Sequence, residues 1–314
     1  MKKKIKEHVC VSCGLEIGCA VNNCDSVFFS LRPPFSLSPK IKRLNWVQNK
    51  EYIISPSELS YLCEHCAYLG KNYNLHPDRI SAGITQTLDG MQKDYFLGDA
   101  TKIDKKLKNG NVIDPYNISF YSKILYDNKN RPFRLKGKGD AIINFNDNTA
   151  GIIDYKTSKF KERDGKDFTE NLNKKVNEYN PQLHAYSLLY SNLETDKDFL
   201  ASKSLAKHPD SILKSVNEKL RKINIIKISK TKILGLVFVY PERLKKKNII
   251  TVDFSHKFVE VKIDFNKFIN SLTNYMDVLH SDVPPLPTSH CGSRHNYFYD
   301  LKKLKKNKFH KMKK

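Results

Sequence analysis

Long apolar runs are missing from this chain. The longest, "ILGLVFVY" at 233–240, falls far short of the roughly 20 residues a helix needs to cross a bilayer. An apolar leader is missing as well. The start, "MKKKIKEHVCVSC", is basic and then polar, which predicts a cytoplasmic protein with no signal peptide and no membrane partner. With no export signal, the seven cysteines are expected to bind metal in a reducing compartment rather than form disulfides. Acidic residues are scarce, 33 against 55 lysines and arginines, for a formal charge of +22. That imbalance predicts a polyanionic partner, and a small anionic metabolite would not by itself account for so many lysines. Two tails concentrate the charge: lysines 2, 3, 4 and 6, and eight lysines within "KKLKKNKFHKMKK" (302–314). The body between them is basic too. Internal repeats are absent, and no motif reads a base sequence, so any action on nucleic acid is expected to be directed by ends or structure.

What is present describes a folded protein. Hydrophobic residues make up 39% and aromatics 11% of 314 residues, enough for one large domain with accessories. Residues 1–45 carry four cysteines and the stretch "LRPPFSLSP", and read as a cysteine-rich, metal-binding module with a linker. Residues 46–300 form the main domain and 301–314 a basic tail. Within the domain, "SPSELSYLCEHCAYL" (55–69) predicts a helix capped by Ser55 or Ser57, and a second helix is expected over 79–97. "ISFYSKILY" (118–126) and "FRLKGKGDAIINF" (133–145) read as strands. "NDNT" supplies a hairpin turn, and "AGIIDYKTS" returns as a third strand. A helix over 175–192, a strand at 232–240, strands near 249–254 and 257–263, and a helix at 265–280 complete the list. The order α–β–β–β–α–β predicts an α/β fold with a mixed sheet flanked by helices.

The chemistry gathers around that hairpin. Asp154 and Lys156 are two residues apart on a strand, so their side chains share a face. Alone, the pair is an ordinary surface salt bridge. Asp140 changes this reading, because adjacent strands lie about 4.8 Å apart and two carboxylates can then converge on one divalent cation. Oxygen-only ligation suits Mg²⁺ or Mn²⁺. Lys156 would hold the attacking water or stabilise charge on a phosphate. Gly137 and Gly139, just before Asp140, would let a nucleic-acid backbone come close.

"KGKGDAIINFNDNTAGIIDYKTS" resembles two central motifs of the PD-(D/E)XK nuclease superfamily, and "PQLHAYSLLY" resembles the downstream Q-x-x-x-Y motif of its RecB-like branch. "SPSELSYLCEHCAYL" and "PPLPTSHCGSRHNYF" are similar to that branch's cysteine-bearing ends, as in the CRISPR-adaptation exonucleases. The resemblance spans roughly 53–299, with five elements in order. It implies a restriction-endonuclease-like fold. It makes Asp140, Asp154 and the Tyr155 backbone carbonyl metal ligands, and Lys156 the catalytic lysine. Gln182 and Tyr186 would touch the DNA or orient that lysine; a core tyrosine with a capping glutamine is their plainer role. Many relatives carry a metal-binding His after a glycine on the preceding helix. Here Gly83 is followed by Gln86, Thr87 or Asp89 in that place, which makes Asp89 a weak third acidic candidate against a merely solvent-exposed residue.

Two cysteine groups remain. Cys10, Cys13, Cys19 and Cys24 lie in a short, weakly apolar segment that needs a metal to fold. They point to structural Zn²⁺, with an iron–sulfur cluster or unliganded thiols as alternatives. By the resemblance, Cys63, Cys66 and Cys291 would share a Zn²⁺ or a [4Fe–4S] cluster; Arg294 stands where relatives have a further cysteine, with His290 and His295 as substitutes. The reading is therefore a Mg²⁺- or Mn²⁺-dependent deoxyribonuclease acting on DNA in repair, recombination or defence, with protein partners in such a complex. Its rivals are a non-catalytic DNA-binding scaffold that keeps the fold, and an adaptor working through the N-terminal module.

Overall fold

The computed structural model describes residues 7–9 and 16–18, and 51–285 except for 62, 74–82, 116–117, 158–166, 205–207, 247–249 and 283–284. Cys10, Cys13, Cys19, Cys24, Cys291, His290, Arg294, His295 and the 301–314 tail therefore lie outside the described residues.

In chain order, β1 (Glu7–Val9) and β2 (Glu16–Gly18) pair antiparallel. They precede β3 (Tyr52–Ile54), α1 (Glu58–Tyr61), α2 (Glu64–Tyr73) and α3 (Gly83–Phe96). Next come β4 (Gly98–Asp99), two 3-10 turns (Ala100–Lys102 and Lys105–Leu107) and β5 (Gly110–Ile113). β6 (Phe120–Tyr121), β7 (Leu125–Tyr126), β8 (Pro132–Gly137), β9 (Ala141–Phe145) and β10 (Ala150–Thr157) follow. The chain continues through α4 (Asp167–Ser191), α5 (Lys197–Ser202) and α6 (Pro209–Ile226). It ends with β11 (Thr231–Lys246), β12 (Ile250–Val261) and α7 (Phe265–His280).

The main sheet runs β12-β11-β10-β9-β5-β4, with β10 parallel to β11 and its other neighbours antiparallel. A smaller sheet joins β3, β8 and β6, with β7 also on β8. β10 is buried through its first six residues because helices cover both faces. Leu183, Ala185 and Leu189 of α4 pack in one core with Ile152, while Phe96 of α3 packs in another with Ile153 and Tyr155. Helix α7 seals the first core with Phe268, Leu272, Tyr275, Met276 and Leu279, an i, i+4, i+7 stripe. Each such burial contributes about 1.5–3 kcal/mol. Asp264 caps α7 by accepting from the Lys267 amide at 2.9 Å.

The β9–β10 hairpin closes as "NDNT" predicts. Asn148 takes the left-handed conformation (φ 60°), and the Phe145 amide donates to the Thr149 carbonyl at 3.0 Å. The α–β–β–β–α–β order also holds, as α3, β5, β9, β10, α4 and β11. Its first strand, however, is β5 rather than 118–126. That segment breaks at Ser122, whose hydroxyl accepts from the Leu135 amide at 2.9 Å and whose backbone bridges Leu193. The expected strand 133–145 is two strands in two sheets, parted at 138–140. The strands expected near 249–254 and 257–263 are one, β12. Among the described residues, no helix is long and apolar enough to cross a membrane.

Candidate active site

Strand register brings the two carboxylates together. Ile153 pairs with Ala141, so Asp140, one residue before β9, faces Asp154 on β10. Asp140 therefore sits in the bend between β8 and β9 rather than on a strand. Its Oδ2 accepts from the Tyr155 amide at 2.9 Å. Asp154 is 2% exposed, and its Oδ1 accepts from Gln182 Nε2 at 2.9 Å. The Lys156 Nζ lies 2.5 Å from Oδ2 as an ion pair. Oδ2 nevertheless has no hydrogen-bond partner although it is buried, so the ammonium meets it off the hydrogen-bonding angle. Lys156 also lies over the Tyr179 ring, 4.3 Å from its centre.

Burial pushes the Asp154 carboxyl up to about 7; neighbouring Asp140 adds to the rise and Lys156 opposes it. Burial by itself would lower Lys156, but its contact with Asp154 outweighs this and raises it. A buried carboxylate oxygen without a hydrogen-bond partner, beside a second carboxylate, fits a hard divalent cation. Among the described residues, no three His, Cys, Asp or Glu side chains gather into a metal-ligating group. A cation at Asp140 and Asp154 would thus leave positions for water and phosphate oxygens.

Helix α4 holds this end of the hairpin with a row at i, i+4 and i+8. Gln182 grips Asp154, and its Oε1 accepts from the Ser60 hydroxyl of α1 at 3.3 Å. Tyr186 donates to the Lys138 carbonyl at 2.8 Å, and the Tyr190 hydroxyl accepts from the Gly139 amide at 2.7 Å. The glycines of "GKG" make room for these contacts. A Cβ on Gly137 would lie 2.9 Å from Pro56 Cδ, and one on Gly139 would lie 2.9 Å from the Tyr190 hydroxyl. Tyr190 and Ser60 were not foreseen as site residues; only Tyr190, one turn beyond Tyr186, carried a periodic signal.

Helix α3 closes the other side. Gln92 donates to the Thr157 hydroxyl at 3.1 Å, and Phe96 stacks on Tyr155 with ring centres 5.4 Å apart. Lys93, also unforeseen, places Nζ 2.8 Å from Asp89 Oδ2 and 3.4 Å from Asp140 Oδ1. Asp89 thus reaches the site through a lysine. Farther away, Cys63 and Cys66 hold their sulfurs 3.1 Å apart, and His65 Nδ1 contacts the Pro285 carbonyl at 2.7 Å. The histidine contact ties α2 to Pro285.

The model of the PD-(D/E)XK nuclease superfamily matches residues 83–293. A search of the curated proteins finds no match. Among solved structures, the crystal structure of SSO0001 is similar at 14% identity, over 76% of this chain and 81% of its own, with a TM-score of 0.34. The family match, which contains Asp89, Lys93, Asp140, Asp154, Lys156, Gln182 and Tyr186, stands without that likeness.

Proposed function

The chain belongs to the PD-(D/E)XK nuclease superfamily, and from that premise we propose that it hydrolyses DNA phosphodiester bonds with the help of Mg²⁺ or Mn²⁺. One observation carries the reading: the buried Oδ2 of Asp154, without a hydrogen bond, next to Asp140 and Lys156. Asp140, Asp154 and the Tyr155 carbonyl would hold the ion, which would supply neutralisation of phosphate charge. Gln182 keeps the Asp154 carboxylate turned toward the site. The Lys156 ammonium, seated between Asp154 and the Tyr179 ring, stabilises negative charge as a water oxygen bonds to phosphorus and the bond to the departing sugar oxygen breaks. The attacking water gives up a proton to solvent, and the departing oxygen takes one from solvent. Gln182 and Tyr186 at helical spacing support the RecB-like branch, and residues 46–300 form the nuclease domain. The formal charge of +22 supports a nucleic-acid substrate.

End-labelled DNA incubated with Mn²⁺, with Mg²⁺ and with EDTA tests this. Cleavage with metal and none in EDTA is expected. DNA that binds but stays whole with every metal would make the protein a non-catalytic DNA-binding scaffold.

A further inference from the structure

Each carboxylate of the site has its own lysine. Asp154 has Lys156 from the same strand, and Asp140 has Lys93 from α3. Lys93 is no ordinary helix-surface pair. Its side chain is only 13% exposed, against 46% for its i, i+4 partner Asp89, and it reaches past that helix to Asp140. One ammonium therefore stands between two carboxylates. It hydrogen-bonds Asp89 at 2.8 Å and touches Asp140 at a longer 3.4 Å. An ammonium on Asp140 competes with a divalent ion for the same carboxylate.

We propose that Lys93 is a positioning residue: it neutralises Asp140 in the metal-free protein and withdraws onto Asp89 when the cation enters. The proposal rests on the nuclease reading, which makes Asp140 a metal ligand. It gives Asp89 a role distinct from ligation, as the seat to which the lysine retreats. The withdrawal is short, because Nζ already bonds Asp89. The metal-free site thereby holds one ammonium for each carboxylate.

Direct Mn²⁺ binding tests this without any nucleic acid, by the loss of the free-ion EPR signal on titration. Lys93→Met removes the competing cation and should tighten Mn²⁺ binding about three- to tenfold, the range for a partly screened charge contact. Asp89→Asn deprives the lysine of its seat, presses it onto Asp140, and should weaken binding by a similar factor. The double variant should behave as Lys93→Met alone, because Asp89 acts only through the lysine. If Lys93→Met fails to fold, Lys93→Gln and the more exposed Asp89→Asn carry the same test. Asp140→Asn, measured alongside, should lose most of the Mn²⁺ binding. Wild-type binding by Asp140→Asn would overturn the metal site and this proposal together. Weakened Asp140→Asn with Lys93 and Asp89 variants unchanged, or both shifted the same way, would overturn the lysine's role alone.

Discussion

Two groups of buried charge in this protein are finished to different degrees. Around Arg134 every charge is answered. Its guanidinium binds Glu194, donates to the Ser122 carbonyl at 2.8 Å and to Glu51 at 3.0 Å, and lies 4.0 Å from the centre of the Phe199 ring. Glu194 in turn accepts from the amides of Thr195 and Asp196 at 2.9 and 3.0 Å. Nearby, Asp127 accepts from the amides of Lys129 and Arg131, both at 2.9 Å, and from the Arg131 guanidinium. At Asp154, Oδ2 meets the Lys156 ammonium as an ion pair and makes no hydrogen bond. Burial by itself would raise Asp127 and Glu194, yet their donors hold both below the usual carboxylate range. Asp154 lies deeper, and there burial outweighs the opposing Lys156 and pushes the carboxyl the other way. A complete network holds a fold together; an incomplete one has room for a ligand.

The largest effect should separate the two groups outright. Asp154→Asn and Lys156→Ala should each cut cleavage by about 10²–10³-fold or more, the usual cost of a lost charge-stabilising contact. In EDTA, the thermal midpoint of Asp154→Asn should fall only modestly: Lys156 loses its carboxylate but keeps the Tyr179 ring, and the carboxylate removed is one that burial already disfavours. Wild-type cleavage by either variant would end the comparison.

Arg134→Met should do the reverse. It leaves Glu194, with its side chain 8% exposed, without its guanidinium. Removing one partner of a buried pair costs about 3–5 kcal/mol, readable as a lower urea midpoint at unchanged slope. Cleavage per folded molecule should stay at the wild-type rate. A rate that falls with the urea midpoint unmoved would place Arg134 in the reaction instead.

Acid titration sharpens the contrast by sign. The folded pKa of Asp127 lies below its unfolded value near 3.9, so its stabilisation is complete above that value and is lost as pH falls through the depressed folded value. Asp154 is raised to about 7, so its contribution is complete below about 4 and is lost as pH rises toward 7. In EDTA, Asp154→Asn should flatten the stability curve between about pH 4 and 7, by up to ~1.4 kcal/mol per unit. Asp127→Asn should flatten only the acid limb below about pH 4. Identical curves for the two variants would refute the distinction.

The legible parts of this site were the local ones. The i, i+2 placement of Asp154 and Lys156, the "NDNT" turn and the i, i+4 spacing of Gln182 and Tyr186 all follow from backbone periods of two and 3.6. Other features depended on distant elements meeting. "FRLKGKGDAIINF" alternates like one strand, and nothing local says that 138–140 carries the chain from one sheet to another. β5 is a four-residue strand after a left-handed Asn109, too short for its period to register. Lys93 and Asp89 form an i, i+4 pair that reads as a solvated face, until the fold sets Asp140 beside it.

The smallest effect concerns the bend itself. Tyr186 and Tyr190 hold Lys138 and Gly139 from one face of α4, and Asp140 is the next residue along. Tyr186→Phe removes a donor from a carbonyl and should cost about 0.5–1.5 kcal/mol. Tyr190→Phe takes the acceptor from the buried Gly139 amide and should cost somewhat more, about 1–3 kcal/mol. Neither change removes a charge, so cleavage should fall only about two- to tenfold. That loss should come from a bend that presents Asp140 less firmly, because a small misplacement in a reacting geometry costs rate before it costs fold. Raising the Mn²⁺ concentration should then recover part of the rate in both variants, since a looser ligand weakens metal binding first. A rate loss that no metal concentration restores would mean that Tyr186 acts on the substrate directly, and the two tyrosines would no longer belong to one clamp.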